Sequence, residues 1–505
     1  MIDLQASLDP EAVWAAAEDA KNWAVHHGLC MRLSTDADRS DFAQVAPFAL
    51  FPSTFPRQLF QQALDVQKDI ALLYHKVSHD VQFLRSVHSE VVKTDEFTRN
   101  LLKIYEQVMS EGLAQSVSLN IQRSDYMLHQ PELLENVSLK QVEVNNIAAS
   151  FSGLDAKVNG LHRYLLRKLK LSKQEISANI LNNRAPGVIA SGIIEAYGVY
   201  GSSDAVVLFV VEDTSQNIFD QLEIQYKIEQ ATDYAVPVRR LKFRDVPAQL
   251  TLTDDKCLIF KDSGKQVAVV YFRFGYTPAH YQNEAAWECR LMIERSRSIK
   301  CPWIGFHLAG TKKVQQVLSK KDVIQRYVSD DKAVSRLMAT FAQIYGLEND
   351  VEGHAALQLA LDNPKDFVLK PQLEGGGNNI YGAEIATKLK QLDWNGRAAF
   401  ILMERIHPPV FDAYLIRARD QSEQQQRTLE ASKCVSELGI FGYLLGRNSG
   451  MKNIGVYNQE TQNSDCEGVI TCVADGYLLR TKSWSSDEGG VMAGASVLDT
   501  PYLTM

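Results

Sequence analysis

The stretch Lys370-Pro371-Gln372-Leu373-Glu374-Gly375-Gly376-Gly377-Asn378-Asn379-Ile380-Tyr381-Gly382 holds the residue types of a metal–nucleotide site in a usable order. A lysine at the end of an apolar strand offers a compact positive charge for phosphate. Three consecutive glycines let backbone amides approach a bulky anion without side-chain interference. A carboxylate four residues after the lysine, and an asparagine amide beyond the glycines, are oxygen ligands suited to Mg²⁺. A flexible turn with an exposed lysine would account for the glycines. It would not account for Lys370, Glu374 and Asn379 standing around them.

A second candidate is Gln141-Val142-Glu143-Val144-Asn145-Asn146-Ile147-Ala148-Ala149-Ser150-Phe151. If Val142–Asn145 is a strand, Glu143 and Asn145 share one face. A carboxylate and an amide oxygen then stand together as hard-cation ligands. Alone, such a pair is a chance feature of many strands. Three more segments set a cation beside an element end or a glycine loop. They are Gln122-Arg123-Ser124-Asp125-Tyr126, Tyr271-Phe272-Arg273-Phe274-Gly275-Tyr276, and Leu479-Arg480-Thr481-Lys482 ahead of Glu488-Gly489-Gly490-Val491-Met492-Ala493-Gly494. Such cations suit carboxylate or phosphate, although each alone reads more simply as a surface ion pair. In Gly310-Thr311-Lys312-Lys313, either lysine can reach a phosphate, or both can face solvent. No P-loop, dinucleotide fingerprint, nucleophile elbow or zinc-protease motif occurs, so nucleotide use requires another scaffold.

These residues need elements to position them. Asp9-Pro10 predicts a capped helix through Val13, Ala17, Ala20 and Ala24, ended near Gly28. A second helix opens after Pro56. A third spans Leu161–Leu171, with Leu161, Leu165 and Leu169 on one face and the basic Arg163, Arg167, Lys168 and Lys170 solvated opposite. From Asp204 the pattern changes. Ala205–Val211 and Val267–Phe274 read as buried parallel strands with a helix near Phe219–Gln230 between them, an α/β unit over roughly 204–308. Phe367-Val368-Leu369 and Phe400-Ile401-Leu402-Met403 are expected strands separated by helix, and Cys434–Leu445 a long strand. The polar stretches Asp420–Thr428 and Asn458–Glu467 read as solvated loops.

With 505 residues, the length suggests about three domains at roughly 150 residues each. A formal net charge of −8 makes a dedicated nucleic-acid binder a poor reading. The seven cysteines include no C-x-x-C pair, which disfavours a disulfide scaffold or structural zinc and fits a reducing compartment. No apolar run approaches the ~20 residues of a membrane helix, and no signal-peptide pattern opens the chain. A cytoplasmic protein without membrane or nucleic-acid partners is expected.

Several motifs occur together in one order: Arg123-Ser124-Asp125-Tyr126, Glu143-Val144-Asn145, Asn217-Ile218-Phe219-Asp220-Gln221, Ala309-Gly310-Thr311-Lys312-Lys313, Lys370 through Gly382, Ser436-Glu437-Leu438-Gly439 and Leu479-Arg480-Thr481-Lys482. In these the chain resembles the eukaryotic-type glutathione synthetases of the ATP-grasp superfamily, from about Ala46 to Asp499. The resemblance implies an α/β, permuted ATP-grasp fold with an inserted substrate domain and a lid. The limits expected are 1–203 and 309–340 for the main body, 204–308 for the insert, 341–425 for the lid, and 426–505 for the C-terminal part of the body with its glycine-rich loop. It implies a homodimer joining γ-glutamylcysteine to glycine with ATP and Mg²⁺, two ions per subunit.

Carried over by position, the resemblance makes Glu143, Asn145 and Glu374 the metal ligands. Lys312, Lys370, Gly375, Gly376, Gly377, Asn378, Asn379 and Tyr381 would line the ATP site, with Met403, Glu404, Arg405, Ile406, Glu437, Lys482 and Glu488. Arg123, Ser150, Ser215, Gln216, Asn217, Gln221, Arg273 and Tyr276 would hold γ-glutamylcysteine. Arg480 would meet glycine near Val491 and Met492. Arg123, Lys312, Lys370 and Arg480 would carry the catalytic charge neutralisation. No enzyme nucleophile is needed, because phosphorylating a carboxylate makes an acyl phosphate that an amine can attack. The glycine-bearing loops at 375–377 and 489–494 are the expected lids over this water-sensitive species. Two departures stand out. Ala148 replaces a serine common in relatives, implying one substrate hydrogen bond fewer. Met492 is bulkier than glycine-using members carry, which makes β-alanine the alternative acceptor. Glycine is the one expected, since Ala493 is retained. A catalytically silent nucleotide-binding relative is the other alternative, disfavoured by the complete metal set.

Overall fold

The computed structural model describes residues 8–132, 136–372, 378–418, 429–448, 468–487 and 489–505. The loops expected at 420–428 and 458–467 lie outside the described residues. The centre of the fold is an eight-stranded sheet. Its backbone is four long antiparallel neighbours in the order Val469–Ser483, Ser432–Arg447, Val117–His129 and Ser138–Asn145. The run Cys434–Leu445 is thus part of a longer strand, as its apolar character suggests. Leu438 and Ile440 pack with the helix Arg57–Ser78 on one face. Phe441, Tyr443 and Leu445 pack with the helices Ser152–Lys168 and Ala185–Tyr200 on the other. Covering both faces requires the unbroken hydrophobic stretch that a one-sided antiparallel strand would not have.

The helix Pro10–His26 is capped by the Asp9 carboxylate, which accepts from the Ala12 amide, as the sequence predicts. In Ser152–Lys168, Leu161 and Leu165 are buried while Arg167 and Lys168 are exposed, so that basic run is a solvated face. Arg163 is half-buried and donates to the Ile180 carbonyl.

The segment around 204–308 forms its own four-stranded parallel sheet, in the order Ile299–Cys301, Val267–Phe272, Val206–Val211 and Val238–Lys242. Every residue of Val206–Val211 and Val267–Phe272 is buried, in keeping with their Val-rich runs. The helix Ile218–Ala231 links the strands Val206–Val211 and Val238–Lys242. Arg273 and Tyr276 follow the C-terminal end of Val267–Phe272, the end at which open α/β sheets present ligand-binding loops.

A third, antiparallel sheet has the order Ile344–Gly346, Phe400–Glu404, Phe367–Pro371 and Ile380–Tyr381. The helices Val351–Asp362 and Ala383–Gln391 close a separate small core with it around Leu369, Ile385 and Leu402. Strands Phe411–Ala413 and Leu415–Ile416, within the segment expected to be lid, pair instead with the eight-stranded sheet. Among the described residues, no helix is long and apolar enough to cross a membrane.

One glycine in the central sheet is required by close approach. A Cβ at Gly439 would stand 2.7 Å from both Arg123 Cδ and Asp125 Oδ1. Gly439→Val should therefore push apart the buried Arg123–Asp125 pair. We expect a loss of about 1–3 kcal/mol, read as a lower thermal midpoint. An unchanged midpoint would contradict this packing.

Candidate active site

The three sheets meet at a cavity of about 770 Å³. The central sheet supplies a stripe of charges to it. Asp125 lies in cross-strand register with Glu143, and Arg123 with Asn145. On the other side, Gly439 faces Asp125 and Glu437 faces Arg480. Period-two alternation puts Arg123 with Asp125, and Glu143 with Asn145, on one face. Four adjacent strands thereby set Arg480, Glu437, Asp125, Arg123, Glu143 and Asn145 side by side.

Their contacts form one network. Arg123 grips Asp125 with both prongs, at 2.6 and 2.8 Å, and donates to the Ser150 carbonyl at 3.1 Å. Asp125 Oδ2 also accepts from Arg480 Nη2 and from Asn145 Nδ2, each at 3.0 Å. The same Arg480 nitrogen reaches Glu437. Asp125 is fully buried, so its charge depends on these partners. Burial and the carboxylates of Asp125 and Glu143 hold the Glu437 carboxyl above its ordinary range, against the pull of Arg480.

Two buried lysines close the stripe. Lys312 stands at the start of the helix Lys312–Leu318, where Thr311 caps the helix and takes the Val314 amide. Its Nζ lies 3.0 Å from Glu143 Oε2. Lys370, at the end of the strand Phe367–Pro371, donates to the Val142 carbonyl at 3.1 Å. Burial alone would raise the Glu143 carboxyl, but Lys312, Lys370 and Arg480 outweigh it and hold it well below the usual range. The open question over Gly310–Lys313 is settled by direction. Neither lysine is solvated. Lys312 turns to the cavity carboxylate, and Lys313 turns to Gln316 and Glu348.

The donor set fits a hard cation. Glu143 is an ionised carboxylate. Asn145 turns its Nδ2 to Asp125, with longer contacts to Glu143 and the Arg123 carbonyl, and its Oδ1 makes no hydrogen bond among the described residues. The third expected ligand, Glu374, lies outside the described residues, as do Gly375, Gly376, Gly377 and Glu488. Among the described residues, no group of three or more His, Cys, Asp or Glu is placed to hold a metal. The pair Glu143–Asn145 is a carboxylate plus an amide oxygen, the hard-oxygen chemistry Mg²⁺ takes.

The lid's edge supplies Asn379, Tyr381 and the run Met403–Ile406 to the cavity wall. Asn378 is exposed beside them. Tyr381 Oη and Lys482 Nζ both donate to the Asp487 carbonyl, at 3.1 and 2.8 Å. Arg405 meets the Asp487 carboxylate at 2.8 Å. The sheet at 344–404 and the segment leading into the glycine-rich loop therefore touch at Asp487. Gly489, Gly490, Val491, Met492 and Ala493 continue that wall.

At the opposite end the wall is Ala148, Ser150 and Tyr276. Ala148 and Phe151 have φ of 52° and 73°, unusual for residues with a side chain. Asp220 secures this turn by accepting from the Phe151 and Gly153 amides at 2.9 and 2.7 Å. Arg273 donates to Ser150 Oγ at 2.7 Å and pairs with Asp220 at 3.3 Å. Arg273, Ser215, Gln216, Asn217 and Gln221 are not part of the cavity wall. They gather beyond Ser150, at the ends of the parallel strands, and all except Gln216 are buried. Asp125 and Asp220 stand within the sequence motifs, which by themselves assign them no role. The available signal was spacing: Asp125 is two residues from Arg123, on the same face of its strand.

With this geometry in view, the comparisons with known proteins agree. The family model described as eukaryotic glutathione synthase, ATP binding domain, matches residues 11–503. A glutathione synthetase of Xenopus laevis is 41% identical over 482 residues, covering 95% of this chain and 94% of its own length. One of Homo sapiens is 40% identical over 496 residues, covering 98% of each. Among solved structures, a glutathione synthetase-like effector from Globodera pallida superposes with a TM-score of 0.76 at 25% identity, covering 99% of both chains. The ATP-grasp type of fold expected from the sequence is consistent with that likeness. The chain belongs to the eukaryotic glutathione synthetase family.

Proposed function

We propose that the chain joins γ-glutamylcysteine to glycine at the expense of ATP, releasing ADP and phosphate. The observation that carries this reading is the single stripe of cations and carboxylates, Arg480 to Lys312, around one cavity that the lid sheet borders. The cysteinyl carboxylate of the donor attacks the γ-phosphorus, and the bond from that phosphorus to ADP breaks. The amine of glycine then attacks the acyl phosphate carbonyl, and the carbon–oxygen bond to phosphate breaks. Both steps move negative charge between groups that must lie in line, so positioning and fixed positive charge supply the catalysis.

Each side chain has a part in this. Lys370 and Lys312 hold phosphate oxygens from opposite sides of Glu143. Arg123, steered by both oxygens of Asp125, holds the reacting carboxylate beside Ser150. Arg480 orients the carboxylate of glycine, with Val491 and Met492 walling its far side. Met403–Ile406, Asn378, Asn379, Tyr381, Glu437 and Lys482 enclose the nucleotide, joined by Gly375–Gly377 and Glu488. Glu143, Asn145 and Glu374 would hold Mg²⁺, two ions per subunit, which supplies neutralisation of the phosphate charge. The sheet at 344–404 acts as the lid, and its contact with Asp487 keeps water from the acyl phosphate. Ser215, Gln216, Asn217, Gln221, Arg273 and Tyr276 take the γ-glutamyl end. Family membership supports a homodimer. The free thiols of Cys30, Cys257, Cys289, Cys301 and Cys434 support a reducing, cytoplasmic setting.

Three outcomes test this reading. With Mg-ATP, ADP should appear only when γ-glutamylcysteine is present with an amino acid, and glycine should outpace β-alanine and serine in parallel assays. ADP release indifferent to the dipeptide would contradict the ligase, and a β-alanine preference would reassign the acceptor to the Met492 pocket. Arg480→Ala should raise the glycine KM far more than the ATP KM; equal rises would remove its acceptor role. Glu143→Gln should raise the Mg²⁺ concentration for half-maximal rate by at least about tenfold, and an unchanged requirement would exclude Glu143 as a ligand.

A further inference from the structure

Two charged residues, Glu212 and Arg240, lie outside the cavity wall and outside the site residues expected from the sequence. Glu212 directly follows the strand Val206–Val211, and Arg240 lies on its parallel neighbour Val238–Lys242. Arg240 is in register with Phe209, its guanidinium 6.0 Å from the ring centroid. Its Nη2 donates to the amide oxygen of Gln221. Its Nη1 is buried and has no hydrogen-bond partner. The Gln221 amide nitrogen lies 3.1 Å from Ser215 Oγ and 3.4 Å from both oxygens of Glu212. Arg273 Nε and Nη1, and Asn217 Oδ1, are also buried without hydrogen-bond partners.

Buried guanidinium N–H groups without acceptors are unfavourable, and two guanidiniums acting on one another add repulsion. Burial first, and then Arg273, lower the Arg240 pKa to about 10, so it remains charged at neutral pH. An anion arriving there would satisfy donors of both arginines. Glu212 favours the charged forms of Arg240 and Arg273. Among the described residues, its only hydrogen bonds are the long ones from Gln221, so its carboxylate is open to a cation. Phosphate would suit the arginines but would meet repulsion from Glu212 and from Asp220. A zwitterion, with carboxylate and ammonium on one carbon, suits both halves of the cluster.

We propose that Glu212 and Arg240 recognise the free amino-acid head of the donor dipeptide, Glu212 taking its ammonium and Arg240, together with Arg273, its carboxylate. The assignment rests on the reading of the donor as γ-glutamylcysteine. A γ-linked glutamyl group keeps both charged groups on one carbon. An α-linked one has used the neighbouring carboxylate in its amide, so this pair selects the linkage. Arg240 also acts as a positioning residue, since it sets the amide of Gln221.

The test uses the whole enzyme with Mg-ATP, glycine and three donors. These are γ-glutamylcysteine, its analogue without the ammonium (glutarylcysteine) and its analogue without the α-carboxylate (4-aminobutanoylcysteine). Glu212→Gln should lower kcat/KM for γ-glutamylcysteine by about 10- to 100-fold, through KM. It should leave glutarylcysteine nearly unaffected. Arg240→Met should do the same for γ-glutamylcysteine and spare 4-aminobutanoylcysteine. The ATP KM should hold in both variants. Equal losses on all three donors, or a wild-type preference that survives both substitutions, would overturn the assignment. Should Arg240→Met fail to melt cooperatively, Arg240→Lys is measured with the same donors. It should keep part of the preference for the α-carboxylate, and a loss common to every donor would again overturn it. A wild-type enzyme that turned over none of the three would instead overturn the ligase reading itself.

Discussion

A carboxylate with no exposure to water must be surrounded by partners, and Asp125 is such a carboxylate. Two guanidiniums and one amide converge on it from three strands, Arg123 on its own, Arg480 and Asn145 on others. Removing one partner from a buried pair of this kind costs about 3–5 kcal/mol, so none of the three is free to drift. This constraint fixes the cations that face the cavity. Arg123 is aimed by its bidentate grip, Arg480 by its share of Asp125 and Glu437, and Asn145 by its committed amide nitrogen. A charge that would weaken an ordinary core thus serves to orient the cations that face the cavity.

The rest of the architecture follows from bringing that stripe to one cavity. The central sheet is covered on both faces, which keeps its strands rigid beneath the charged row. The parallel sheet delivers Tyr276 to the wall and sets Arg273 behind Ser150. The lid sheet delivers Lys370, Asn379 and Tyr381. The helix that begins at Lys312 joins body to lid: Lys312 turns to Glu143, while its neighbour Lys313 turns to Glu348 beside the lid strand Ile344–Gly346. Adjacent residues on one helix therefore tie the antiparallel sheet at 344–404 to the cavity carboxylate Glu143.

Much of this was legible in the sequence because it depends on local periodicity. Glu143 and Asn145 share a face since they are two apart in a strand. Lys370 ends an apolar strand, and Val206–Val211 reads as buried because it is buried on both sides. What could not be read depends on strand order. Arg480 and Asp125 are 355 residues apart, and nothing local says that their strands flank the same neighbour. The two-residue strands Phe48–Ala49 and Leu415–Ile416 carry no periodic signal, so the return of 411–416 to the central sheet was invisible. Arg240 is one of three cations on a partly exposed five-residue strand, with no motif to mark it. Only the packing of the Gln221 helix against it shows a donor left without an acceptor.

The central claim is that these cations hold one substrate carboxylate against the γ-phosphate of ATP so that the two become covalently joined. The direct measurement is turnover of γ-glutamylcysteine labelled with ¹⁸O in its cysteinyl carboxylate, followed by mass analysis of the released phosphate. The account predicts that phosphate acquires one carboxylate oxygen per turnover, left behind when the acyl phosphate is cleaved. Phosphate released without label, at full yield of peptide product, would contradict it.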